Sequence, residues 1–97
     1  WYSVLETSDV PPGVMNIVTG AKAELIRVLA DHLDVDGVWY FGDAATGADV
    51  ERASAGNMKR TWVVTRPRDW HDPRQGEGRE FLRRATEVKN IWIPYGE

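Results

Sequence analysis

Three short apolar runs alternate with two helix-length stretches, and this alternation constrains the fold of the chain more than any other feature. Val14 to Val18 is bounded by Gly13 and by Thr19-Gly20, which suits a buried parallel strand. Ala21 to Leu33 carries Leu25, Ile26, Leu29 and Leu33 at helical spacing, with Lys22, Glu24, Arg27 and Asp31 on the other face. Asp34-Val35-Asp36-Gly37 turns the chain out of that helix. Val38 to Phe41 reads as a second strand, and Ala44 to Ala55 as an alanine-rich helix stopped at Gly56-Asn57. Arg60 to Thr65 reads as a third strand. Strand, helix, strand, helix, strand predicts an α/β fold: a Rossmann-like parallel sheet, βαβαβ, over residues 1–65.

The flanks read differently. Trp1 to Thr7 has the character of the last turns of a helix, stopped before Pro11-Pro12. Residues 66–78 hold Pro67, Pro73, Gly76 and Gly78 among charges and read as a loop or linker. Residues 79–97 form the last unit: a short helix over Arg79 to Thr86 with Phe81, Leu82 and Ala85 on one face, then a strand over Val88 to Pro94. The chain starts mid-pattern without a methionine, as a piece of a longer polypeptide would.

Composition narrows the function classes. With 12 basic against 15 acidic residues the net charge is -3, so there is no basic field of the kind that binds nucleic acid. No apolar run approaches the ~20 residues that span a bilayer, and the first residues are not a signal peptide. A cytoplasmic location without membrane contact is the expectation. The chain has no cysteine, which excludes disulfides and thiolate zinc sites. Asp69-Trp70-His71-Asp72 is the one cluster with metal-ligand chemistry, and such loop clusters are usually solvated. His32 falls at a helix end, where a partly cationic imidazole suits the dipole. Arg79, Arg83 and Arg84 share one helix with Glu80 and suit a solvated face or a contact with acidic partners better than nucleic acid. Of the five tryptophans, Trp62 reads as core and Trp39 and Trp92 as interface candidates.

The run Val10-Pro11-Pro12-Gly13-Val14-Met15-Asn16-Ile17-Val18-Thr19-Gly20, followed by Phe41-Gly42-Asp43-Ala44-Ala45-Thr46-Gly47, resembles the dinucleotide-binding core of the aldehyde dehydrogenase superfamily. The corresponding patterns there read roughly LPPGVVNIVTG, FTGSTxxG and LKRVxLELGGK, and the spacing matches without a gap from Pro11 to Arg60. The resemblance implies NAD(P)-dependent aldehyde oxidation in the parent polypeptide: a cysteine thiolate attacks the aldehyde, hydride passes to the nicotinamide, and the LELGGK glutamate activates water. It also implies cofactor-binding positions at Gly20, Gly42, Asp43 and Thr46. Three departures argue against chemistry in this chain. There is no cysteine, the general-base position is Val64, and Asp43 stands where the family has a serine beside the cofactor pyrophosphate. Lys22 and Ile26 occupy two further glycine positions of the first turn. The glycines then serve as tight turns and as close helix–strand contacts, and no cofactor is expected in this chain.

Arg79 to Glu97 resembles the carboxyl terminus of the same superfamily, with residues 66–78 standing where ordinary members have a catalytic domain. The whole therefore resembles the second, degenerate half of family 16 aldehyde dehydrogenases. By analogy the last strand is an edge strand that pairs with a second copy of the chain or with the catalytic unit of the parent, burying Ile91, Trp92 or Ile93; the other possibility is that it folds back on its own sheet. The expected role is structural, in assembly. The alternative is a vestigial nucleotide-binding module acting as a sensor, and an active dehydrogenase is nearly excluded by the missing cysteine.

Overall fold

The computed structural model describes residues 2–96; Trp1, with which the first expected helix begins, and Glu97 lie outside the described residues. The elements are α1 (Tyr2–Thr7), α2 (Lys22–Asp31), β1 (Gly37–Phe41), α3 (Ala44–Ala55), β2 (Arg60–Val64), α4 (Pro73–Gly76) and α5 (Arg79–Ala85). Strands β1 and β2 pair in parallel, with Trp39 opposite Trp62 and Phe41 opposite Val64. The fold is mixed α/β around this two-stranded sheet.

Alternation along the strands sorts side chains to two faces. Val38 and Tyr40 point to one, where they join Ile26 and Ala30 of α2 and Val50 of α3, with Val35, Ala53 and Val63 packed around them. The two helices are tied together at their ends. Asn57 donates from its side chain to the Ala30 carbonyl at 3.2 Å, and Lys59 Nζ donates to the His32 carbonyl. These bonds satisfy carbonyls that the end of α2 leaves without helical partners. Met58, in the same turn, takes the left-handed conformation with φ of 55°.

The opposite face of the sheet is aromatic. Trp62 meets Trp39, Phe41 and Phe81 edge-on, with ring centroids 5.1, 5.3 and 5.3 Å away, and Phe41 meets Trp70 at 4.9 Å. Edge-to-face pairs at these separations add to the stabilisation from burial alone. The polar stretch 66–78 lies against this face. Arg68 reaches under the rings of Phe41, Trp62 and Phe81, its guanidinium carbon 5.2–5.8 Å from their centroids. The same guanidinium donates to the Gln75 carbonyl at 2.9 Å and to Glu80 at 3.3 Å. Asp72 caps the short helix α4, whose first residue is Pro73.

Two expected strands are absent among the described residues. Residues 14–18 form no strand, and Val14, Ile17 and Val18 lie exposed. Pro11 to Val14 closes a turn instead, with Gly13 at φ 86° and the Val14 N–H on the Pro11 carbonyl. A parallel strand needs cover on both faces, and none of residues 14–18 joins the buried core that α2, β1 and α3 form. The last expected strand, Val88 to Pro94, also lacks a ladder partner and is exposed. The sheet is therefore two strands and not the βαβαβ unit expected. No helix among the described residues is long and apolar enough to cross a membrane.

Candidate functional site

Gly42, Asp43 and Thr46, three of the positions singled out from the sequence, lie where β1 ends and α3 begins. Gly42 follows the strand and donates its N–H to the Val64 carbonyl at 3.1 Å, so the turn is stitched to the end of β2. Asp43 is the N-cap of α3 and adopts extended backbone. One carboxylate oxygen accepts the Thr46 N–H at 2.7 Å, and the other accepts the Tyr40 hydroxyl at 2.9 Å. The backbone N–H and side chain of Thr46, then the Tyr40 hydroxyl, hold the Asp43 carboxyl well below its usual value, at about 2. Burial, followed by the hydrogen bond to Asp43, pushes the Tyr40 phenol up.

Lys22 completes the cluster. At the start of α2 it donates from Nζ to the Phe41 carbonyl and lies 4.8 Å above the Tyr40 ring. Gly42, Asp43 and Thr46 are thus brought together, with Lys22 carrying the α2 side of the site two residues after Gly20. Tyr40 was not expected here, and Lys22 was expected only as the residue at a glycine position of the first turn. The signals available for them were a tyrosine three residues before an N-cap aspartate and a lysine in the first turn of a helix that returns to the same strand. Val64 sits at the end of β2, opposite Phe41. Ile91, Trp92 and Ile93 belong to no part of this cluster and are exposed on the tail. Trp62 is buried and Trp39 is half-exposed beside it. Asp69 and Asp72 accept the backbone N–H groups of His71 and Arg74.

This arrangement can do little acid–base chemistry near neutral pH. Asp43 is an acceptor already occupied on both oxygens, and it holds the helix N-terminal amide that an anion would otherwise use. A phosphate entering this turn would have to displace a fixed carboxylate of its own sign.

The model of the aldehyde dehydrogenase family matches residues 1–65. The chain belongs to the aldehyde dehydrogenase family. It is 37% identical over 59 residues to betaine aldehyde dehydrogenase of Bacillus subtilis, covering 61% of the chain and 12% of that protein. It is 38% identical over 57 residues to the NADP/NAD-dependent aldehyde dehydrogenase PuuC of Escherichia coli, covering 58% and 12%. Peroxisomal aminoaldehyde dehydrogenase 2 of Pisum sativum is 47% identical over 49 residues, covering 50% and 10%. The chain therefore spans about an eighth of the length of the first two of these relatives. No solved structure matches it.

The N-cap of this aldehyde dehydrogenase-family chain makes a pH prediction. A carboxyl whose folded pKa is depressed contributes stability that is present above its unfolded value, about 3.9, and lost as pH falls through about 2. Asp43→Ala should lower the melting temperature by several degrees at pH 7. The gap to the wild-type chain should narrow below about pH 4 and close near pH 2. Thermal melts followed by circular dichroism across that range check it; a gap constant down to pH 2 would contradict the cap geometry.

Proposed function

We propose that this chain is a non-catalytic domain of an aldehyde dehydrogenase-family protein, with a structural role in assembly. In this reading it corresponds to the degenerate second unit of a family 16-type polypeptide whose other part carries NAD(P)-dependent aldehyde oxidation. The absence of a cysteine and the valine at position 64 support the first half of the reading, since neither the thiohemiacetal nor the water-activating step has a group to perform it. Asp43, locked on Thr46 and Tyr40, supports it further by filling the turn at which the cofactor phosphates would bind.

The observation that carries the assembly role is the tail. Ile91, Trp92, Ile93 and Tyr95 are 83%, 86%, 70% and 104% exposed, four large side chains in five residues. An extended segment with apolar residues on both of its faces is suited to entering a sheet that is covered on both sides. The occupant it fits is the sheet of a second copy of the chain. Sedimentation of the purified chain should show a dimer, and Trp92→Ala should weaken it at least tenfold. A strict monomer, unchanged by Trp92→Ala, would overturn the tail-mediated contact, and aldehyde-dependent NADH production by the pure chain would overturn the non-catalytic role.

A further inference from the structure

A groove of about 620 Å³ runs between α5 and the amino-terminal ends of β1 and β2, at the end of the sheet opposite the Asp43 turn. Its walls are Trp39, Trp62, Arg60, Arg83 and Arg84, with Glu80 at one side. We propose that this groove binds a phosphate-bearing small molecule.

The charge balance is the first support. The chain as a whole is acidic, at -3, yet three arginines line this one groove. Ion pairs among the described residues join Arg52 to Asp49 and Arg68 to Glu80, so the one carboxylate lining the groove is already engaged by Arg68. Arg60, Arg83 and Arg84 face the groove without a carboxylate partner among those residues. Like charges gathered in one concave site raise the local concentration of a multiply charged anion.

Pre-organisation is the second. Arg60 is held by donating to the Thr86 carbonyl at 3.2 Å, and Arg84 lies over the Trp62 ring at 5.3 Å. Each of these contacts leaves most of the five N–H groups of its guanidinium free. A planar fork whose position is already set loses little freedom on binding, and its geometry matches the oxygens of a phosphate. The neighbouring Trp39 is 40% exposed and offers a ring to an apolar or aromatic part of the same ligand. The volume lies within the range of small-molecule sites, roughly 300–1,000 Å³, which favours a compact ligand over an extended acidic segment of another protein.

The test is calorimetric titration of the full chain with inorganic pyrophosphate, followed in parallel by tryptophan fluorescence. Saturable binding that weakens with added salt is expected. Arg83→Gln should weaken it about tenfold or more, because Arg83 faces the groove without supporting the aromatic packing. Arg84→Gln removes the contact with Trp62 as well, so it is used only if its melting temperature matches that of the wild-type chain. Arg52→Gln, on the exposed face of α3, should titrate as wild type. A response that sodium chloride reproduces at matched ionic strength, or an Arg83→Gln chain that binds like the wild type, overturns the proposal. So does binding of a polyglutamate peptide without binding of pyrophosphate, which would make the groove a surface for acidic protein. None of these outcomes depends on the tail, so this site and the assembly role fail separately.

Discussion

Trp62→Ala is expected to destabilise the fold by about 3–5 kcal/mol, the range for deleting a large buried aromatic side chain. Trp62 is 6% exposed and is the ring on which the second face of the sheet is organised. Trp39, Phe41 and Phe81 all meet it edge-on, and the Arg68 and Arg84 guanidiniums lie over it at 5.2 and 5.3 Å. Removing it opens a cavity between β2 and α5 and withdraws two cation–π contacts at once. Domains of this size have only about 5–15 kcal/mol in total, so the substitution removes a substantial share of the stability. Urea denaturation followed by far-ultraviolet circular dichroism measures the loss without relying on the tryptophan signal. A cost below about 1 kcal/mol would show that residues 66–86 do not pack on the sheet as described.

Gly42→Ala is expected to cost about 1–3 kcal/mol, as overpacking does. A Cβ at this position would sit 2.6 Å from Tyr40 Cζ and 2.9 Å from Lys22 Nζ. Lys22 can swing away, but Tyr40 is 2% exposed and anchored on Asp43, so its ring has nowhere to go without breaking that bond. The backbone shift that relieves the clash also strains the Gly42 N–H bond to Val64. The substitution should therefore lower stability and release the Asp43 carboxyl toward its ordinary pKa. Denaturant titration, with the Asp43 resonance followed through acid pH, measures both. An unaltered midpoint would mean that Tyr40 is not locked as the geometry shows.

Helices α2 and α3 and strands β1 and β2 were legible because their signals are local. Leu25, Ile26 and Leu29 repeat at helical spacing in α2, and Val38 and Tyr40 alternate with Trp39 in β1. The aspartate that starts α3 and the glycine that ends it are also local cues. Val14 to Val18 carries an equally good strand signal, and no strand forms there. Whether an apolar run becomes a strand depends on a neighbour to bond and a layer to cover it, and neither condition is written within the run. Residues 66–78 show the reverse case. Their prolines, glycines and charges read as a linker, while Arg68 and Trp70 lie against the aromatic face of the sheet, because an arginine stem and guanidinium can cover rings as well as face water.

For the site, the motif located the turn at Gly42, Asp43 and Thr46 and identified the carboxylate as the anomaly. The contacts of Tyr40 and Lys22 came into view only with the third dimension, since one lies in a strand and the other in a helix nineteen residues from the carbonyl it reaches. The sequence by itself determined the family, through a pattern that the family model matches over residues 1–65, and it determined that no thiolate is available. Tertiary structure alone decided that Asp43 is satisfied on both oxygens, that the described residues form a two-stranded sheet, and that three arginines without an ion-pair partner among those residues line one groove. The physical reason is range. Residue types and their spacing act within one element, whereas hydrogen-bond satisfaction, sheet pairing and charge convergence depend on which elements the folded chain brings together.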